Sequence, residues 1–113
     1  FAVTKGVDPD RYRIARVADY KVEHPVDAIY CCEVFEHCTD AELEPLAKQF
    51  AANCRWFYFT STPNYHDGDD VNGHINVKSR EQWISFFSKY GLTFERDDAS
   101  IVPWGMIYRG KLH

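Results

Sequence analysis

Two short runs of almost unbroken apolar character constrain this chain most: "PVDAIYCC", residues 25–32, and "RWFYFTST", residues 55–62. In the first, Val26, Ala28, Ile29, Tyr30, Cys31 and Cys32 follow a proline with only Asp27 among them. A strand with one wet face alternates apolar and polar residues. A strand covered on both faces reads as a continuous apolar run, the pattern of a parallel sheet. Parallel neighbours need a crossover between them, and the intervening residues supply a helix. Thr39 followed by Glu42 is a capping-box signature, and Leu43, Leu46, Ala47 and Phe50 recur at helical spacing to about Ala52. Pro45 lies deep for a helix capped at Thr39; a start nearer Glu42 would bring it into the first turn. The Ile29 and Phe57 strands are thus predicted to be internal and parallel.

The flanks extend this unit. Ala2–Val7 reads as a strand that leaves through an Asp8-Pro9-Asp10 turn, and a short strand is expected around Arg16–Ala18. Ser79 caps a second helix with Gln82 at its third position. Trp83, Phe86, Phe87 and Tyr90 line its inner face, and Gly91 ends it. "LTFERD" and "IVPWGMIYRG" read as a closing antiparallel strand pair across an Asp97–Ser100 turn. The order is that of an α/β fold, with residues 1–113 read as one domain.

Composition excludes several classes. Of the 113 residues, 45% are hydrophobic and 27% charged, which suits a packed core rather than disorder. A net charge of −4 without a basic run offers no general attraction to a phosphate backbone. Cys31, Cys32, Cys38 and Cys54 form no C-x-x-C pair, so they read as reduced core thiols of a cytoplasmic protein. No stretch approaches 18 apolar residues, so no membrane span is expected.

In an open parallel sheet, ligands bind beyond the carboxyl ends of the strands. Glu33, Glu36 and His37 follow the first apolar run, and Thr62, Pro63, Asn64 and Tyr65 follow the second. Asp8 and Asp19 follow the two weaker strands, and His74 lies in the loop that returns to this edge. Glu33-x-x-Glu36-His37 offers carboxylate oxygens suited to Mg²⁺ or Mn²⁺ and an imidazole that adds affinity for Mn²⁺, Fe²⁺ or Zn²⁺. The bland alternative makes Glu33 a loop-orienting residue, Glu36 a solvated first-turn acid and His37 a packed ring. Asp8 could accept both hydroxyls of a ribose, yet Asp-Pro-Asp is also an ordinary turn. Tyr65, His66, Asp67, Asp69 and Asp70 fit either a lid over a substrate or a solvated loop, and Trp104 fits core or surface.

"GVDPD", "PVDAIYCCEVFEH", "FTSTPN" and "GHINVKSREQWISFFSKYGL" together resemble the later two thirds of a class I S-adenosylmethionine-dependent methyltransferase, from about Gly6 to Phe94. The resemblance implies a Rossmann-like methyltransferase sheet. It also implies a cofactor site in which Asp8 holds the ribose, Asp19 meets the adenine, and the segment Cys32 to His37, with Cys32 and Glu33 nearest the cofactor, lines the methionine and substrate side. The small-RNA 2′-O-methyltransferase branch carries a Glu-x-x-Glu-His metal set with a later histidine, which maps onto Glu33, Glu36, His37 and His74. Quinone O-methyltransferases share a similar segment.

The implied reaction is methyl transfer to a hydroxyl, or an amine, of a small molecule, a sugar or a nucleic-acid terminus. Mg²⁺ or Mn²⁺ would assist it, or His37 or His74 would act as general base. No Gly-x-Gly occurs, so the family's first strand and glycine-rich loop have no counterpart in these residues. An upstream segment or a partner chain is therefore expected to complete the sheet. The alternative function is a degenerate methyltransferase-like domain serving binding or assembly, and a metal-dependent hydrolase ranks third.

Overall fold

A computed structural model describes residues 6, 8, 10, 15–63, 73–97 and 105–109. The order is β1 (Val26–Cys32), α1 (Asp40–Asn53), β2 (Cys54–Thr60), α2 (Arg80–Ser88), β3 (Phe94–Arg96) and β4 (Gly105–Arg109). Single 3₁₀ turns at Val17–Asp19 and Phe35–His37 precede β1 and α1 respectively. The four strands form one mixed sheet in the order β1-β2-β4-β3. β1 and β2 are parallel, with Ile29 opposite Phe57 and Cys31 opposite Phe59. β4 runs antiparallel to both β2 and β3. The closing pair is thus antiparallel as its short connection requires, and β4 lies between β2 and β3.

Both capping boxes form. Thr39 Oγ1 accepts from the Glu42 amide while Glu42 Oε1 accepts from the Thr39 amide, and Ser79 and Gln82 repeat the exchange. α1 therefore starts at Asp40 rather than near Glu42, with Pro45 inside it. Proline at its sixth residue removes one ladder donor, and the capping box together with the buried face of Leu43, Leu46, Ala47 and Phe50 outweighs that loss. α2 ends where Gly91 turns at φ +83 and the Leu92 amide reaches back to the Phe87 carbonyl, the closure expected of a left-handed C-terminal glycine.

Both helices cover the same face of the sheet. Phe50 of α1 meets Phe57 edge-on at 4.9 Å between ring centroids, and Phe87 of α2 meets Phe59 at 5.2 Å. Phe94 and Met106 complete this layer, and Phe35 from the turn after β1 is buried at its centre. The opposite face carries Ala28, Tyr30, Trp56 and Tyr58, of which Tyr30 is 65% exposed and stacks on Tyr58.

Two sequence expectations need correction. Among the described residues β1 is an edge strand, not an internal one. Its continuous apolar run arises because Ile29 and Cys31 pack on the core while Tyr30 lies against Tyr58 across the sheet. Residues 17–19 form a 3₁₀ turn rather than a strand. The following segment is tied to α1 instead, with Gln49 accepting from the Val22 amide and donating to the Tyr20 carbonyl. Of the expected Ala2–Val7 strand only Gly6 is described, as a turn with φ +73; the rest of it, the 64–72 loop with Tyr65, His66, Asp67, Asp69 and Asp70, the turn beyond Asp97, and Trp104 lie outside the described residues.

Candidate metal centre at the carboxyl end of β1

The chain turns sharply as it leaves β1. Glu33 adopts φ +53, a left-handed conformation that costs a residue with a Cβ about 1–2 kcal/mol. Its amide donates to the Thr60 carbonyl at 2.8 Å, which prolongs the β1–β2 pairing by one bond and holds the turn. The Phe35–His37 3₁₀ turn follows at once, sending Phe35 into the core and Glu36 to the strand end. Strain of this kind persists where surrounding contacts over-determine it.

Glu36 is buried, with only 1% of its surface exposed. A carboxyl taken out of water needs partners. Ser61, itself buried just past β2, donates its hydroxyl to Glu36 Oε2 at 2.7 Å. The second oxygen, Oε1, faces His37 Nε2 at 3.8 Å. On the far side of that ring, His37 Nδ1 lies 3.0 Å from the Gly73 carbonyl. A carbonyl only accepts, so Nδ1 carries a proton, and it is Nε2 that faces Glu36. Gly73 is required there: it has φ +82, and a Cβ on it would stand 3.3 Å from His37 Nδ1.

His74 closes the group. Its ring packs on that of His37 with centroids 4.7 Å apart, and ligand atoms of Glu36, His37 and His74 all lie within 4.8 Å of one another. Two ligands each about 2.0–2.2 Å from one ion stand at most about 4.4 Å apart, so small side-chain rotations suffice to reach that spacing. Glu33 stands beside them. Partial burial pushes its carboxyl above the ordinary value, with the charge of Glu36 and a hydrogen bond to Glu36 adding to this. A bond from the Thr62 backbone and the nearby His74 pull the other way. One buried oxygen, one imidazole held through its Nδ1 and a second imidazole form a donor set that fits a divalent cation.

Three of the four residues singled out as metal ligands, Glu36, His37 and His74, thus come together, although more than 30 residues separate His74 from the others in the chain; Glu33, exposed beside Glu36, lies outside that group. The other candidates are placed differently. Asp8 is exposed, and its Oδ1 accepts from the Asp10 amide at 3.0 Å, the local bond of an ordinary turn. Asp19 is exposed at the end of its 3₁₀ turn, and Cys32 is half-buried at the end of β1. Among the described residues, no hydrogen bond or ion pair joins Asp8 or Asp19 to the Glu36 group.

Cys38 and Cys54 are buried, and burial pushes Cys31 up to about 12 and Cys54 up to about 11. Among the described residues no helix is long and apolar enough to cross a membrane.

Sequence reading missed Ser61 and Asn76. The Ser61 hydroxyl follows an apolar strand directly, a position that could have signalled a partner for a buried acid. The Asn76 amide donates to the Glu36 carbonyl at 3.0 Å, and Asn76 Nδ2 donates to the Cys38 carbonyl at 2.8 Å. No periodicity marks such a residue. Compared with known proteins, the chain matches no family model and no curated protein.

Proposed function

We propose that this chain carries the substrate side of a metal-assisted, S-adenosylmethionine-dependent methyltransferase acting on a hydroxyl group. The observation that carries the reading is the convergence of Glu36, His37 and His74 beyond the carboxyl end of a parallel strand, with Glu33 next to them. That is where an open α/β sheet binds its ligands. The resemblance of the Glu33–His37 and Gly73–Trp83 segments to methyltransferases supplies the reaction class.

Glu36 Oε1, His37 Nε2 and His74 would hold Mg²⁺ or Mn²⁺, with Glu33 beside Glu36. When bound, the cation supplies charge that lowers the pKa of a coordinated substrate hydroxyl. S-adenosylmethionine supplies the methyl group, and Cys32 and Glu33 stand on the side where the resemblance implies its methionine end. The protein's own contribution is orientation. Ser61 fixes the Glu36 carboxyl, Gly73 holds His37 through Nδ1, and the buried Phe35 anchors the turn that bears both ligands. Holding nucleophile and methyl donor in line supplies much of the rate in such a transfer. The substrate reads as a small molecule, a sugar or a nucleic-acid terminus.

The edge position of β1 supports a second reading, a methyltransferase-like binding or assembly module. An apolar cleft of about 330 Å³, lined by Tyr20, Val22, Val26, Ile29, Cys31 and Phe50 among others, runs along this strand. In either reading an added strand would pair along the edge that β1 presents among the described residues.

Methyl transfer from labelled S-adenosylmethionine to hydroxyl acceptors, with and without chelator, tests the proposal. Activity lost in chelator, regained with Mn²⁺ and absent in Glu36→Gln is expected. Full activity in chelator leaves His37 or His74 as general base, and failure to bind S-adenosylmethionine at all favours the assembly module.

A further inference from the structure

His74 owes its place to the residues on either side of it. The Gly73 carbonyl accepts from His37 Nδ1, and two residues beyond His74 the Asn76 amide donates to the Glu36 carbonyl. His74 is thus bracketed between two hydrogen bonds to the very turn that carries the other two ligands. Ile75, between His74 and Asn76, is 57% exposed, so the segment turns its odd member outward and the two flanking side chains inward.

The Asn76 side chain makes the bracket directional. Its Nδ2 donates to the Cys38 carbonyl at 2.8 Å and to Asp40 Oδ1 at 2.9 Å, while its Oδ1 accepts from Lys78 Nζ at 2.6 Å. Lys78 Nζ also pairs with Asp40 at 3.0 Å. An ammonium only donates and a carbonyl only accepts, so these neighbours settle which way the amide points. Burial pushes the Asp40 carboxyl up, but its bonds from Asn76 and Lys78 outweigh this and hold it below the ordinary range.

We infer that Asn76 is a positioning residue for the metal centre, setting the register of the His74 segment against the Glu36–His37 turn through the Asp40–Lys78 pair. The inference rests on the metal reading above. Asn76 touches neither ion nor substrate; it acts through His74. Aspartate in its place sets a carboxylate against the Cys38 carbonyl and the Asp40 carboxylate, while exchanging the two residues restores one donor–acceptor pair and leaves Lys78 its anion.

The test is calorimetric titration of the protein with Mn²⁺, supported by the bound-manganese electron-spin signal. Four variants accompany it: Glu36→Gln, Asn76→Ala, Asn76→Asp, and Asn76→Asp combined with Asp40→Asn. Partners that orient metal ligands typically contribute about ten- to hundredfold in affinity. Asn76→Ala and Asn76→Asp are therefore expected to bind manganese about ten- to hundredfold more weakly, with the exchanged pair recovering most of the loss. Rescue by exchange separates positioning from a general loss of stability. Wild-type binding that Glu36→Gln abolishes but Asn76→Ala leaves within about threefold overturns this inference alone. Wild-type protein that binds no manganese overturns the metal reading and this inference with it. Where Asn76→Ala does not fold, the exchanged pair decides: binding no better than in Asn76→Asp alone overturns the inference.

Discussion

Phe35 and Glu36 are neighbours in the chain, and each has 1% of its surface exposed. They are buried for opposite reasons. Phe35 lies among Phe57, Phe59, Trp83 and Phe87, with ring centroids between 5.2 and 6.0 Å away, and its burial stabilises the fold through apolar area and packing. Glu36 gains nothing from leaving water and depends on the Ser61 hydroxyl that donates to it. One 3₁₀ turn therefore joins the part of the molecule that makes it stable to the part that stability supports. The core tolerates the polar cluster because Phe35 holds the turn in place.

The largest effect expected is from Phe35→Ala. Truncating a fully buried phenylalanine costs about 3–5 kcal/mol, a large fraction of the roughly 5–15 kcal/mol that stabilises a typical domain. Urea denaturation should show the midpoint falling steeply or the cooperative transition disappearing. A loss under about 1 kcal/mol would mean that the turn is held from its polar side instead.

Ser61→Ala comes next. It takes a hydrogen bond from a buried carboxyl, and bonds to charged groups contribute about 1.5–3 kcal/mol. Stability should fall by about that amount in the same denaturation experiment, less than in Phe35→Ala. If the two variants lose equal stability, the contrast between an apolar anchor and a polar passenger fails.

The smallest effect sharpens the contrast through pH. The Glu33 carboxyl is raised in the folded protein, so its protonated form favours folding. That contribution is complete below its ordinary value of 4.5 and is lost as pH rises through the raised folded value. Glu33→Gln should therefore flatten the fall in stability over that window and leave the metal-free protein slightly more stable at neutral pH. An unchanged slope between wild type and Glu33→Gln, measured by thermal melts across mildly acid pH, would separate Glu33 from Glu36.

Local chemistry determined much of this molecule. Thr39 with Glu42 and Ser79 with Gln82 cap their helices because a capping box needs only four consecutive residues. The apolar runs around Ile29 and Phe57 pair in parallel, with α1 as the crossover that parallel neighbours need. The glutamates and histidine after β1 were visible as ligand types, and their strand-end position could be read from the apolar run before them. Only the tertiary structure decided the rest. It set β4 between β2 and β3, left β1 at the edge of the described sheet, and turned residues 17–19 into a 3₁₀ turn. It also brought the Gly73–Asn76 segment onto the Glu36–His37 turn, joining Ser61 and Asn76 to a site that spacing alone had not assigned them. The reason is physical: caps and strand periodicity depend on near neighbours, whereas strand order and convergent ligands depend on bonds between residues far apart in the chain, 25 positions for Ser61 and Glu36 and 36 for Gly73 and His37.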